Sequence, residues 1–296
     1  MKKLLALLAL LALAVSSVVA VEVSTGWSSG HLSIQGRRRH QEDRVLALSN
    51  LLIDDGDTRL GVFAIFDGHT DSQASEFLVQ NFEPRLRANL QGSLDASIEA
   101  SVVKAALEKT IAELETSFLK EAYEKRWWDA GSTACVAVVT DEFMVMANVG
   151  DSRAIACVRD GGKKLVAKAL TSDHHPELPM ERQRLEAAGS EVRSGVIEGW
   201  FPMSRSIGDL LLKRYYGVIG TPDVTVWRNA MDGFIVVASH GLYDGISEQE
   251  VCDIAATVDP ETPELGQAVA DQAARKAQAA RKESYRDNIS IVVIPT

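Results

Sequence analysis

Gly61-Val62-Phe63-Ala64-Ile65-Phe66-Asp67-Gly68-His69 decides how this sequence is read. The apolar run is unbroken and opens on glycine, the pattern of a strand buried on both faces. It ends abruptly in a carboxylate, a glycine and an imidazole. Asp67 offers a hard oxygen ligand. Gly68 lacks a side chain, so its carbonyl can approach a cation closely. His69 can move a proton near neutral pH. An Asp-Gly pair alone marks an ordinary polar turn. Similar strand ends recur, however, at Asn148-Val149-Gly150-Asp151 and Ser239-His240-Gly241-Leu242-Tyr243-Asp244. Arg286-Asp287-Asn288-Ile289-Ser290 stands before an apolar strand instead of after one.

Upstream lies Gly36-Arg37-Arg38-Arg39-His40-Gln41-Glu42-Asp43-Arg44. Three consecutive arginines usually form a solvated basic patch or a localisation tag. Here Glu42 and Asp43 follow at once. The arginine fork suits a phosphate group, and adjacent carboxylates suit a divalent cation. Val45 to Ile53 and Thr58 to Phe66 read as a strand pair around the turn Asp54-Asp55-Gly56-Asp57. That turn lacks the later ligand positions of a calcium loop.

The rest alternates between the two periodicities. Ser72 to Leu90 and Leu94 to Tyr123 carry helical spacing, with Pro84 expected to kink or interrupt the first. Trp127 and Trp128 read as packing residues. Ala134 to Val139, Phe143 to Val149, Ser152 to Val158 and Lys164 to Leu170 read as an antiparallel meander. Glu177 to Ala188, Glu248 to Ala256 and Pro263 to Lys282 read as helices. Phe234 to Ser239 and Ile289 to Ile294 read as buried strands. Strand runs interrupted by helix pairs predict an α+β layered domain.

Met1-Lys2-Lys3, the Leu/Ala run from Leu4 to Val15 and Val18-Val19-Ala20 fit a cleaved signal peptide over residues 1–20. An uncleaved, short membrane anchor is the alternative. The expectation is entry into the secretory pathway, no stable membrane association after cleavage, and one domain over 21–296, since no linker or repeat divides it. A net charge of −10 argues against a nucleic-acid partner. Three cysteines are too few for a disulfide framework, and Cys135 and Cys157 read as buried thiols in strands. The sequon at Asn288 lies beside Asp287 and is expected to be folded in, not glycosylated.

Together these segments resemble the metal-dependent type 2C serine/threonine protein phosphatases, the PPM family. The matching stretches are Gly36 to Arg44, Val62 to His69, Gly131-Ser132-Thr133-Ala134, Asn148 to Ala154, Leu170 to His174, Glu181 to Gly189, Met203 to Asp209, Ser239 to Asp244 and Asp287 to Ser290. They fall in the family's order across nearly the whole mature chain. The resemblance implies a four-layer α-β-β-α sandwich of two antiparallel sheets flanked by helix pairs. It implies two divalent cations, Mn or Mg, and hydrolysis of phosphoserine or phosphothreonine in protein substrates by a water activated between them. By position, Asp67 would bridge the metals and the Gly68 carbonyl would bind one. Glu42 and Asp43 would hold metal-bound waters, and Asp287 would bind the second metal. Arg38 would grip the phosphate and His69 would protonate the leaving alkoxide. Asp151 and Asp244 would support a weaker third metal site. The chain is expected to act as a monomer.

Two positions depart from the family pattern. His240 stands where the family has a metal-binding Asp, which favours Mn over Mg because imidazole suits Mn better. With an ordinary pKa of about 6.5 it would also lose that role on mild acidification. Thr70-Asp71 replace two glycines; Asp71 is either a tolerated loop change or a partial restoration of negative potential. A catalytically impaired pseudophosphatase that binds phosphoproteins therefore stands as the alternative to an active enzyme. Retention of Arg38, Glu42, Asp67, His69, Asp151, Asp244 and Asp287 favours activity.

Overall fold

Two five-stranded antiparallel sheets form the centre of the molecule. The computed structural model describes residues 27–53, 58–91, 98–162, 164–228, 232–280 and 287–296. The leader expected over 1–20, the turn expected at 54–57 and Arg286 lie outside these residues.

The main strands are β1 (Gly30–Ile34), β2 (Arg44–Ile53), β3 (Thr58–Phe66), β4 (Ala134–Val139), β5 (Phe143–Val149), β6 (Arg153–Arg159), β7 (Leu165–Ala169), β8 (Asp223–Arg228), β9 (Gly233–Ala238) and β10 (Ile289–Pro295). One sheet has the order β1-β10-β9-β6-β7 and the other β8-β5-β4-β3-β2. Helices α1 (Gln73–Leu90) and α2 (Ala100–Lys125) cover the second sheet. After α3 (Pro179–Ala187), α4 (Leu210–Tyr216) and the single turn α5 (His240–Tyr243) come α6 (Glu248–Thr257) and α7 (Leu265–Ala280), which cover the first sheet.

Three apolar seams separate the four layers. Phe63, Ile65, Cys135, Met144, Met146, Ile235, Val237 and Val292 fill the space between the sheets. Val62, Phe66 and Val136 point the other way, against Phe82 and Leu107 of the helices. Val236, Ile291 and Val293 likewise meet Val269 and Ala273 of α7. Every residue of β4, β5 and β9 is buried, because both faces are covered.

Three expectations need correction. The four strands from Ala134 to Ala169 are not one meander. β5 and β6 belong to different sheets, and the chain crosses between them at Gly150–Ser152, where Gly150 has φ 100°. Strands apolar on both faces carry no signal of which neighbour they take. Pro84 does not interrupt α1; it lies on the exposed side, while Leu78, Phe82, Leu86 and Leu90 hold the opposite face in the core. Cys157 is not a thiol. It bonds to Cys252 of α6 across 95 residues, with Cα atoms 5.2 Å apart. Cys135 is a buried free thiol.

The segment between β7 and β8 forms a smaller unit around Leu185, Val192, Ile197, Phe201, Met203, Leu212 and Val218. Among the described residues, no helix is long and apolar enough to cross a membrane.

Candidate metal and phosphate site

The strand ends singled out in the sequence meet at one edge of the sandwich. Arg44 pairs with Phe66, so the start of β2 and the end of β3 bring Glu42, Asp43 and Asp67 together. Ser239 donates its N–H to Ser290 O at 2.9 Å, which sets the end of β9 beside the start of β10. The crossing at Gly150 delivers Asp151 to the same edge.

Each position is held by backbone bonds. Asp67 N–H donates to Thr133 Oγ1 (3.0 Å), and Thr133 N–H returns to Asp67 O (2.9 Å). A Cβ on Gly68 would meet Glu42 O at 2.5 Å and Ser75 Oγ at 2.8 Å, so this position must be glycine. Asn288 is buried and clamps the 35–42 loop. Its Oδ1 accepts from Glu42 N–H (2.9 Å), and its Nδ2 donates to Gln35 O (2.7 Å) and His40 O (3.2 Å). That amide is fully engaged inside the fold. His174, also buried, accepts the Gly150 N–H on Nδ1 at 3.0 Å and so braces the loop that carries Asp151.

The electrostatics are those of crowded acids. Burial pushes the Asp43 carboxyl up to about 6, with Asp287 adding to the rise and the nearby Ser290, Asp67 and Ser239 opposing it. Neither Asp43 oxygen has a well-formed hydrogen bond, although both are buried. Asp67 is raised well above the ordinary range by its enclosure and by Asp43, Asp287 and Asp151. Burial raises Glu42 as well, against the pull of Arg38 and His69. Burial raises Asp151, with His240 opposing.

Cationic side chains stand among these acids. Arg38 reaches Asp287 Oδ1 at 2.8 Å and Glu42 Oε2 at 3.3 Å. His240 sets Nε2 3.1 Å from Asp244 Oδ1 and Nδ1 3.7 Å from Asp151 Oδ2. The hydrogen bond with Asp244 outweighs burial and, with Asp151, Asp244 and Asp287 nearby, raises His240 to about 9. In the metal-free protein its charge thus persists through neutral pH instead of being lost near 6.5. Among the described residues, no three His, Cys, Asp or Glu side chains form a tight preassembled metal cage.

His69 Nε2 lies 2.7 Å from Asp209 Oδ2. Burial disfavours the charged ring, but Asp209, with Asp151 and Glu42, more than compensates and raises its pKa. Asp209 ends the matching stretch Met203 to Asp209, but the sequence assigned it no role. Asp71 accepts from Ser72 N–H (2.8 Å) and Gln73 Nε2 (2.7 Å) at the start of α1, and its charge also reaches Glu42. The structure thus brings Arg38, Glu42, Asp43, Asp67, Gly68, His69, Asp151, His240, Asp244 and Asp287 to one edge.

A two-sheet α-β-β-α sandwich with clustered carboxylates at its strand ends defines the class. Residues 27–286 match the family model Protein phosphatase 2C. An Arabidopsis thaliana protein named "Probable protein phosphatase 2C 25" is 37% identical over 266 residues, covering 88% of this chain and 62% of its own. The Homo sapiens "Integrin-linked kinase-associated serine/threonine phosphatase 2C" is 34% identical over 248 residues, covering 80% and 63%. The solved "serine-threonine phosphatase 2C from Toxoplasma gondii" shares the fold, with a TM-score of 0.77, 24% identity, and coverage of 93% of this chain and 96% of its own. The chain belongs to the protein phosphatase 2C family, which uses divalent metal cations. It spans 62% and 55% of the lengths of the first two curated relatives.

Proposed function

We propose that the chain is a metal-dependent phosphatase acting on phosphoserine and phosphothreonine in proteins. The observation that carries this reading is the pair of buried Asp43 oxygens without well-formed hydrogen bonds beside Asp67, both carboxyls raised first by burial, with Asp287 adding to each. Crowded hard oxygens of this kind fit divalent cations. Asp67, the Gly68 carbonyl, Asp287, Glu42 and Asp43 would hold them, with Asp151 and Asp244 supporting a weaker third site. Cations bound there lower the pKa of a water and offset charge on the phosphate.

The chain's own residues do the rest. Arg38 offers a forked guanidinium to the phosphoryl oxygens. Water adds to phosphorus as the bond to the seryl or threonyl oxygen breaks. His69 gives its proton to that oxygen, one water proton stays on the phosphate, and the other restores the imidazolium. The products are alcohol and inorganic phosphate.

A second reading, a phosphoprotein-binding relative without turnover, rests on the contacts of His240 with Asp244 and Asp151, which put a cation where an acid would add to the site. Phosphopeptide hydrolysis with Mn and Mg at equal concentration tests the first reading. Turnover is expected, and abolished in Asp67→Ala with the fold retained; a margin of Mn over Mg is expected only where His240 gives up its proton to the cation. No turnover with either ion would leave the binding reading.

We further infer passage through the secretory route. The Cys157–Cys252 bond supports it, because such bonds persist in oxidising compartments.

A further inference from the structure

We infer that Asp209 is the positioning residue for His69, and that Gly131 supplies the space in which their side chains meet. The inference rests on the phosphatase reading, in which His69 protonates the leaving oxygen.

Three two-residue strands build the arrangement. Gly68–His69, Gly131–Ser132 and Ile207–Gly208 form an antiparallel ribbon with Gly131–Ser132 in the middle. His69 lies opposite Gly131, and Gly131 lies opposite Gly208. Adjacent strands are about 4.8 Å apart, so the outer two are separated by about twice that distance. Side chains from the outer strands can meet over the middle one if the middle residue carries none. A Cβ on Gly131 would fall onto both Asp209 Oδ2 and His69 Nε2.

The approach of Asp209 is just as constrained. Gly208 has φ 85°, and a Cβ there would strike Ala130 O and lie 2.8 Å from Phe118 Cε1. Asp209 itself has φ 49°, a left-handed conformation that Asp tolerates better than most residues. Its N–H donates to Ala130 O (2.9 Å), and its carbonyl accepts from Lys213 N–H (3.0 Å). Glu115 of α2 accepts the Gly208 N–H (2.9 Å) and pairs with Lys213 (2.8 Å). The buried Asp209 carboxylate is therefore fixed before it meets the imidazole.

The chemical consequence concerns which nitrogen faces the substrate. A carboxylate only accepts, so the His69 Nε2 carries the shared hydrogen. The proton to be transferred then sits on Nδ1. Phe201 packs edge-on against the ring, with centroids 5.6 Å apart, and steadies it. Asp209 thus sets the tautomer and orientation of the acid without touching the substrate.

The test compares metal-loaded wild type with Asp209→Asn, Asp209→Gly and Gly131→Ala. Asn and Gly both accept the left-handed backbone at 209. Gly131→Ala keeps both polar partners and removes only their meeting place. Threonyl alkoxide needs a proton to leave, whereas p-nitrophenolate does not. The expected result is a fall in kcat on a phosphothreonine peptide of about 10–100-fold, with KM little changed and p-nitrophenyl phosphate turnover within about threefold of wild type. Equal losses on both substrates would mean that Asp209 only supports the fold, and would overturn the inference. Nitrogen-15 NMR of the imidazole gives a readout independent of turnover. Wild type should show a protected Nε2–H on His69 that disappears in Asp209→Gly. A ring signal unchanged by that substitution would also overturn it. If wild type hydrolyses neither substrate while the NMR pairing is present, the phosphatase reading fails and the pairing stands.

Discussion

At His240 an imidazole sits against two carboxylates, Asp244 and Asp151, in a site rich in acids. Aspartate at this position would remove a positive charge and add an anionic oxygen. The metal-free His240→Asp protein should be less stable than wild type, because Asp151, Asp244 and Asp287 then repel a fourth carboxylate. Added Mn or Mg should bind at least about tenfold tighter, or about 1.4 kcal/mol, and turnover should rise with better tolerance of Mg. Isothermal calorimetry beside phosphopeptide assays checks this; equal affinity and equal turnover would refute it. Thr70 shows a different departure. Its φ of 71° suits glycine, and a β-branched residue is strained there. Thr70→Gly should stabilise the protein by about 0.5–1 kcal/mol, strain relief of about 1–2 kcal/mol being partly offset by the entropy of glycine. Urea unfolding midpoints decide it, and an unchanged or lowered midpoint would refute the strain argument.

At the scale of elements, Glu181 joins α3 to the segment that leads to Asp209. It takes hydrogen bonds from Arg205 Nη2 (2.6 Å), Arg184 Nη2 (2.5 Å) and Ser204 Oγ (2.6 Å). Burial alone would raise its pKa; the three partners overcome that and hold it down to about 2. A depressed pKa in the folded state stabilises above the unfolded value of 4.5 and loses that contribution as pH falls toward 2. Thermal melts should therefore show wild type above Glu181→Gln at neutral pH, with the gap closing between pH 4.5 and 2. A gap independent of pH would show that packing, not charge, anchors α3. The same elements show what the sequence could convey. Ala134–Val139 and Phe143–Val149 were legible to the residue, since turn residues bound each apolar run. Asp67, Asp151 and Asp287 stood out because they lie next to the ends of such runs, and the structure brings them to one edge. Sheet membership was not, because buried strands look alike on both faces. Asp209 was not, because its partner is fixed by the register of two-residue strands too short to show alternation. Cys157 and Cys252 were not, because 95 residues of chain conceal a Cα separation of 5.2 Å.

Over the whole molecule, the site depends on layers that the chain links only at long range. β1 at one end pairs with β10 at the other, and the acidic edge takes residues from Arg38 to Asp287. One covalent tie spans the outer half of this assembly. Cys157 lies in β6 and Cys252 in α6, so their bond fastens a covering helix to its sheet. Closing a loop of this size restricts the unfolded chain, a stabilisation of about 4.7 kcal/mol in the chain-entropy account. Reduction, or Cys157→Ser with Cys252→Ser, should then lower Tm by roughly 5–10 °C. If the chain passes through a secretory host, it should emerge with its N-terminus near Val21. Under denaturing, non-reducing conditions it should show one reactive thiol, Cys135, and all three cysteines should react after reduction. Intact mass and thiol titration of the same sample decide both points together. A product that keeps Met1 and shows three thiols without reduction would refute the secretory reading and the tie between sheet and helix. A cleaved product with three thiols would refute the tie alone, and reductant should then leave Tm unmoved.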